Sequence, residues 1–178
     1  MGLKLRSAKR AESARETFGE LYEYYLPKVF RYISYQVGDM DLAEDLTSAV
    51  FEKVLTRLDS YRSDKAAFST WLLTVARNTV IDHYRVKSRK ITVSIEETFD
   101  VASEEISPEE KVIRKEELQK LDTHLRELPQ QEREIVSLKF GAELNNRQIA
   151  KILDLSESNV GTILYRAICK LRDKFKEG

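Results

Sequence analysis

The sequence predicts an all-α protein of two small helical domains joined by an acidic linker. Its 178 residues include only six glycines and three prolines, so few positions interrupt helical structure. Apolar residues recur at intervals of three and four over most of the chain, which is the spacing of amphipathic helices. The formal net charge is zero, but residues 91–112 carry seven acidic residues and one basic residue between two mildly basic blocks.

Residues 1–16 are polar and basic and are assigned to a flexible N-terminal tail, and residues 17–90 to the first domain. We expect one helix from about Ala14 to Tyr25. Pro27 then fits the first turn of a second helix, which Gly38 ends. Asp41 and Glu44 have the spacing of a capping box at the start of a third helix. Apolar residues repeat along one side of that helix: Leu42, Leu46, Val50, Val54 and Leu58.

A polar loop at 59–67 precedes a long helix from Phe68 to about Arg89, which buries Phe68, Trp71, Leu72 and Val75. Residues 91–107 lose the helical period. Residues 91–112 are assigned to the linker, and residues 113–178 to the second domain. Pro108 fits the start of a helix whose apolar side carries Leu118, Leu121, Leu125 and Leu128. Pro129 begins another helix, which runs to Phe140 and ends at Gly141.

Residues 145–174 have the spacing of a DNA-reading helix-turn-helix. Ile149, Ala150 and Leu153 face inward on the first helix, and Ser156 caps the second. Asp154 occupies the turn where glycine is usual, and aspartate tolerates the left-handed backbone better than most residues. The second helix has an apolar stripe: Val160, Ile163, Leu164, Ala167, Ile168 and Leu171. Its opposite face carries Ser158, Asn159, Thr162, Arg166 and Lys170, which suit bases and phosphates. The alternative is an ordinary helical hairpin.

A second candidate nucleic-acid surface lies on the C-terminal half of the long first-domain helix. Residues 77–90 hold five basic residues and one acid, with Asn78, Asp82, Arg85 and Arg89 on one face. His83, Tyr84 and Lys87 lie to the sides. The loop Arg62–Ala67 and the aromatic residues that follow it could hold unstacked single-stranded bases. The alternative is a solvated charged face, with Trp71 in the core.

Several classes of function lack support in the sequence. No apolar run is long enough to span a membrane, the N-terminus does not resemble a secretory signal, and Cys169 is the single cysteine. There is no P-loop, no metal cluster and no Ser-His-Asp set, and His83 and His124 are isolated. We therefore expect no catalytic residue, no metal, no cofactor and no small-molecule substrate. A cytoplasmic location follows as the default.

Three segments together resemble a known family. They are LAEDLTSAVFEKVL at 42–55, FSTWLLTVARNTVIDHYRVKSRK at 68–90, and LRELPQQEREIVSLKF followed by the helix-turn-helix at 125–174. In this order and spacing they resemble bacterial RNA polymerase sigma factors of the extracytoplasmic-function (ECF) type of the sigma-70 family. The resemblance covers residues 17 to 175, and the linker is too short for the extra domain of larger sigma factors.

The resemblance implies that the protein binds core RNA polymerase, recognises the −10 and −35 promoter elements and promotes DNA melting. The first domain would contact polymerase and the −10 element. Implied polymerase contacts are Asp41, Glu44, Asp45, Leu46 and Phe51, with Asp45 and Leu46 foremost. Implied −10 contacts are Arg62, Ser63, Lys65, Phe68, Arg77, Asn78, Asp82, Arg85, Lys87 and Arg89, and the Arg62–Ala67 loop would capture a flipped base.

In the second domain, the resemblance implies −35 contacts by Ser156, Glu157, Ser158, Asn159, Thr162, Tyr165 and Arg166. One departure concerns the pattern Val-Lys-Ser-Arg-Leu, which is common in the family's recognition helix. This chain has Val-Gly-Thr-Ile-Leu at residues 160–164, so two basic side chains are absent. Gly161 also lowers helix propensity by about 1 kcal/mol. The recognition helix is therefore expected to be a modest anchor.

The implied partners are promoter DNA, the clamp of the largest polymerase subunit, the flap of the second subunit and an anti-sigma factor. An anti-sigma factor could hold the protein at the inner face of the membrane. The acidic linker would enter the RNA exit path, and the alternative is a solvated spacer. The competing function is a stand-alone helix-turn-helix regulator whose N-terminal helical domain senses a ligand or dimerises. Such a domain needs neither the 42–55 motif nor the basic helix.

Overall fold

The computed structural model describes the backbone of residues 2–89 and 120–177, and the side chains of residues 18–87 and 120–176. The predicted linker at 91–112, the helix start at Pro108 and the side chain of Arg89 lie outside the described residues. Seven helices are described: α1 (Gly2–Val37), α2 (Met40–Arg57), α3 (Phe68–Arg89), α4 (120–127), α5 (Gln130–Val136), α6 (Asn146–Leu153) and α7 (Glu157–Glu177). The all-α prediction is confirmed.

The N-terminal helix differs from its prediction. It begins at Gly2 rather than near Ala14, and it continues through Pro27 to Val37, where two helices were expected. Proline removes one backbone donor from a helix, but the turns on both sides of Pro27 bury apolar residues. Phe18, Leu26 and Phe30 pack against the core, which contains Val29. This burial explains how one helix tolerates an internal proline.

The start of α2 also differs from its prediction. Gly38, with φ of 65°, ends α1 in the left-handed conformation. Asp39 then adopts an extended backbone, and its carboxylate accepts a hydrogen bond from the Leu42 amide at 2.9 Å. Asp39 is therefore the N-cap, and Asp41 lies in the first turn. The predicted capping box of Asp41 and Glu44 is wrong because the N-cap lies two residues earlier, at Asp39, and the helix begins at Met40.

The two helical regions pack against each other, which the sequence analysis did not predict. One buried cluster contains Val29, Ile33 and Leu72 from α1 and α3 together with Leu138 and Ile149 from the C-terminal region. A smaller cluster joins α4, α5 and α7 through Leu125, Leu128, Val136, Ala167 and Leu171. The mutual packing therefore fixes how the candidate surfaces of the two regions lie relative to one another.

Gly141 marks a close approach of the two regions. After α5, residues Ser137–Gly141 form a π-helical turn that packs on α1. A Cβ atom at Gly141 would lie 3.0 Å from the Tyr32 amide nitrogen and 3.1 Å from the Arg31 carbonyl carbon. Because both are backbone atoms of a helix, they cannot rotate away. The glycine is required here for contact, beyond its predicted role of ending a helix.

Candidate nucleic-acid interface

The helix-turn-helix is built as its sequence predicts. Asn145 caps α6 by accepting from the Gln148 amide at 2.9 Å, and the Gln148 side chain accepts from the Asn145 amide at 3.0 Å. Asp154 is left-handed, with φ of 55° and ψ of 48°. The Ser156 hydroxyl accepts from the Asn159 amide at 3.1 Å, so the predicted cap is confirmed. These contacts fix the angle at which α7 leaves the turn.

The outward face of α7, together with its cap Ser156, carries all seven residues implied for the −35 element. Every one is exposed: Ser156, Glu157, Ser158, Asn159, Thr162, Tyr165 and Arg166. Tyr165 is the most open of the large apolar side chains, at 72% exposure. The Thr162 hydroxyl donates to the Ser158 carbonyl at 3.1 Å, which leaves its lone pairs as acceptors. We call this set the recognition face.

Two residues of α7 differ from their predictions. Ile168, predicted in the apolar stripe, is 38% exposed, while Val160, Ala167 and Leu171 are buried. Lys170, predicted to reach DNA, donates to both carboxylate oxygens of Glu132 at 2.7 and 2.9 Å. Its ammonium is thus held against α5, where it neutralises a carboxylate of the same chain.

The polar face of α3 is open over most of its predicted length. Asn78, Asp82, Arg85 and Lys87 are exposed. Arg77 differs, because its Nε lies 2.8 Å from Glu134 Oε1 on α5 in a half-buried ion pair. Its predicted contact with DNA therefore does not match this arrangement. Arg77 points toward the other helical region and is held there by a carboxylate.

Glu134 has a second partner on α1. The buried Tyr32 hydroxyl hydrogen-bonds to it, and burial is the main cause that raises the pKa of Tyr32 above its ordinary value of 10.0. Three helices therefore meet at one carboxylate. This cluster could not be predicted from the sequence, since helical periodicity shows which side of a helix is buried but not which residue it meets.

Further polar contacts join the two regions. The buried amide of Gln36 donates to the Ser137 hydroxyl at 2.9 Å. Gln148 donates to the Ser69 hydroxyl at 3.0 Å, which ties α6 to the start of α3. The carboxylate of Glu143 lies 2.9 Å from the Lys28 Nζ atom and 2.5 Å from an Arg31 Nη atom. Hydrogen bonds from these two side chains are the main cause that lowers the pKa of Glu143. These contacts, like the packing of Gly141 against α1, hold the two regions together.

The loop before α3 is open, whereas the aromatic residues that follow it are stacked. Arg62, Ser63 and Lys65 are exposed, and Arg62 pairs with Asp64 at 3.2 Å. Phe68 is half-buried, with its ring centroid 5.4 Å from Tyr61, 5.3 Å from Tyr25 and 5.7 Å from Trp71. Phe68 is thus part of an aromatic cluster that supports the loop, and its implied role as a DNA contact does not match this packing.

The candidate polymerase surface on α2 divides into exposed acids and buried apolar residues. Asp41, Glu44 and Asp45 are exposed. Leu46 and Phe51 are only 7% and 6% exposed and belong to the core. Their implied contact with polymerase stays a prediction. In this structure they hold α2 in place, and the acids are the exposed groups. A groove of about 430 Å³ lies beside these acids, lined by Leu26, Pro27, Phe30, Glu44, Thr47 and Ser48.

The described residues add two observations about other kinds of site. Within residues 18–87 and 120–176, no cluster of three or more His, Cys, Asp or Glu side chains could hold a metal ion. None of the described helices combines the length and apolar character needed to cross a membrane.

A helix-turn-helix region joined to a second helical region with an exposed polar helix defines a two-part DNA-binding protein. Comparisons with known proteins place it more narrowly. Sigma-70 region 2 matches residues 21–90, and Sigma-70, region 4 matches residues 118–171. The chain belongs to the ECF type of the sigma-70 family of RNA polymerase sigma factors.

Individual relatives agree with this assignment. The ECF RNA polymerase sigma factor SigM of Bacillus subtilis is 33% identical over 165 residues, covering 91% of this chain and 97% of that protein. The ECF sigma factor BldN of Streptomyces coelicolor is 35% identical over 161 residues, and the match covers 90% of this chain but 61% of BldN. In fold, the chain resembles the sigma factor RpoE of Bartonella quintana, solved with the anti-sigma factor NepR. That comparison has a TM-score of 0.76 and 21% identity, and covers 90% of this chain and 98% of RpoE.

Proposed function

We propose that this protein binds core RNA polymerase, directs it to the −10 and −35 elements of promoters and promotes DNA melting at initiation. One observation carries the proposal. An exposed recognition face in region 4 and an exposed polar face on α3 in region 2 occur on the same chain. A regulator that binds an operator needs only the first, whereas a protein that opens a promoter needs a second surface for separated strands.

In this proposal the recognition face enters the major groove of the −35 element. Asn159 and Thr162 carry amide and hydroxyl groups for base edges, and Arg166 is placed for phosphate. Glu157 can accept from cytosine, and Ser156 and Ser158 flank these groups. Because the caps at Asn145 and Ser156 fix both helices, the face is preorganised before DNA arrives.

The exposed face of α3 and the loop Arg62–Ala67 would bind the −10 element. Asn78 and Asp82 carry groups for base edges, while Arg85 and Lys87 follow the backbone. Ser63 and Lys65 on the loop would hold a flipped base, whose unpairing costs a few kcal/mol that the pocket contacts must offset. Arg77 can join this surface only by leaving Glu134, so promoter binding would require the two regions to separate.

The acids of α2 would dock on the clamp of the largest polymerase subunit. Asp41, Glu44 and Asp45 suit a basic partner groove, since complementary charge speeds encounter and fixes register. Region 4 would lie against the flap of the second subunit. The chain would contribute binding energy and no chemical step, and it would act in the cytoplasm, where polymerase is.

An anti-sigma factor is the proposed inhibitor. The solved relative RpoE is bound to the anti-sigma factor NepR, and the sigma factor CnrH, a fold neighbour with a TM-score of 0.64 and 21% identity, is bound to the cytosolic domain of CnrY. A protein of this kind would hold the present chain away from polymerase. Attachment of that inhibitor to the inner face of the membrane is part of the same proposal.

Transcription in vitro tests the function. Core RNA polymerase is incubated with fragmented genomic DNA with and without the protein, and the 5′ ends of the transcripts are mapped. We expect new start sites only with the protein, each preceded by shared −10 and −35 sequences. If the protein binds a duplex operator tightly by itself and never confers initiation on core polymerase, the stand-alone regulator is the correct reading.

A further inference from the structure

The recognition face has a gap at Gly161. Ser158 precedes this glycine by three residues and Tyr165 follows it by four, so both exposed side chains share its side of α7. A Cβ atom at Gly161 would meet a single neighbour within 4 Å, the Nδ2 atom of Asn146 at 3.7 Å. The glycine therefore leaves open space at the edge of the recognition face, next to the first residue of α6.

Asn146 is held in that position by a lysine from outside the helix-turn-helix. Lys139, in the π-helical turn after α5, donates from Nζ to the Asn146 Oδ1 atom at 3.2 Å. An ammonium group can only donate, so the amide oxygen must face Lys139 and the amide NH₂ must face the space over Gly161. The hydrogen bond thus holds two donors at the same edge of the recognition face. One is the charged ammonium of Lys139, and the other is the neutral amide NH₂ of Asn146.

The charge of Lys139 is uncompensated among the described residues. Its partner is a neutral amide, and no ion pair joins it to a carboxylate within residues 18–87 and 120–176. Three other lysines of the C-terminal region or of α1 differ, because each is paired with a glutamate of the same chain: Lys28 with Glu143, Lys170 with Glu132 and Lys174 with Glu127. Lys139 therefore keeps its cation available to an external anion.

In a helix-turn-helix on DNA, the second helix lies in the major groove and the first crosses the sugar-phosphate backbone. The first residue of α6 and the turn before it would then lie over the backbone that borders the groove. We propose that Lys139 and Asn146 form a phosphate-binding pair at the edge of the −35 contact. The pair supplies, from outside α7, the cationic contact that the recognition helix lacks at residues 161 and 163. This inference rests on the proposed function.

The salt dependence of promoter binding tests the pair. Holoenzyme is assembled from core polymerase and the full chain, and its affinity is measured on a duplex promoter fragment recovered by the transcript mapping above. Each phosphate contact contributes about 0.9 to the slope of log affinity against log salt. Lys139→Gln should lower that slope by about this amount. When the salt concentration rises from about 50 to 200 mM, the affinity of both proteins falls. The factor by which it falls should be about three times smaller for the variant than for the parent.

Two further variants separate a phosphate contact from a structural role. Asn146→Asp keeps Lys139 but neutralises it with an adjacent carboxylate, so it should reproduce the reduced slope. Gly161→Lys places a cation in the open space and should restore the slope in the Lys139→Gln protein. Lys174→Gln is the matched control, because that lysine is already paired with Glu127, and its slope should equal the parent's.

The outcomes distinguish this inference from the proposed function. The Lys139→Gln and Asn146→Asp variants could both show the parent's slope while the parent protein confers initiation at mapped promoters. That result would overturn the phosphate-binding role of the pair and leave the proposed function intact. Failure of Gly161→Lys to restore the slope would overturn the claim that the pair supplies the cationic contact that the recognition helix lacks. If the parent protein never confers initiation, the function and the pair are both overturned.

Discussion

Asp154 shows how one residue sets the geometry of the recognition helix. It occupies the left-handed conformation at the turn, with φ of 55°, where a side chain is usually unfavourable. Its amide donates back to the last turn of α6, at the carbonyl of Ala150. A residue that cannot adopt this conformation would move α7 relative to α6, and with it the whole recognition face.

Substitution of Asp154 tests this requirement. Asp154→Val should lower the free energy of unfolding by about 1–2 kcal/mol, because a β-branched side chain disfavours the left-handed backbone. Asp154→Gly should change it by less than about 1 kcal/mol, since relief of strain is offset by the greater freedom of the unfolded chain. Urea denaturation measures both. A valine variant as stable as the parent would contradict the argument.

At the scale of elements, α2 places the acidic and the apolar residues of one sequence motif in different environments. The segment read as a polymerase contact has its acids at the surface and Leu46 and Phe51 in the core. The resemblance assigned both kinds of residue to one contact, since a motif identifies positions without stating which side chains are buried. Burial divides the motif into residues that hold the helix and residues available to a partner.

Two substitutions one residue apart test this division. Leu46→Ala should lower the free energy of unfolding by about 2–4 kcal/mol, because it leaves a cavity in the core. Asp45→Arg should leave stability within about 0.5 kcal/mol and weaken binding to core polymerase, since it reverses a charge on the exposed ridge. Denaturation and co-purification with core polymerase measure the two effects. Unchanged co-purification of Asp45→Arg would remove that residue from the contact.

Local features of these elements were predictable, and long-range ones were not. The Ser156 cap, the left-handed Asp154 and the buried stripe of α7 depend on residues close in sequence, so spacing was enough to predict them. Asn145 and Gln148 also have capping-box spacing, which the sequence analysis overlooked. The Glu134 cluster joins residues up to 102 positions apart, at Tyr32 and Glu134, and helical periodicity carries no record of such partners.

For the whole molecule, the packing of the two regions depends on the Gly141 approach. Its neighbours there are backbone atoms of α1, and the polar contacts of Gln36, Arg31 and Glu143 surround it. A side chain at this position must displace a helix rather than rotate another side chain. The arrangement of the two candidate DNA-binding surfaces is therefore sensitive to one methyl group.

A pair of glycine substitutions tests this sensitivity. Gly141→Ala should lower the free energy of unfolding by about 1–3 kcal/mol in urea denaturation, because the backbone of α1 must shift by a few tenths of an ångström to admit the methyl group. Gly161→Ala is the matched control. Its Cβ meets only an amide nitrogen at 3.7 Å, and it should raise stability by up to about 1 kcal/mol through helix propensity. A Gly141→Ala variant as stable as the parent would contradict the prediction.

The Arg77–Glu134 ion pair has a consequence for how the free protein meets DNA. The Glu134 carboxylate lies 2.8 Å from Nε of the Arg77 guanidinium and already accepts from one of the donors that a phosphate would use. Glu134 would therefore compete with DNA phosphates for this cation. DNA could bind Arg77 only after the ion pair between α3 and α5 has broken.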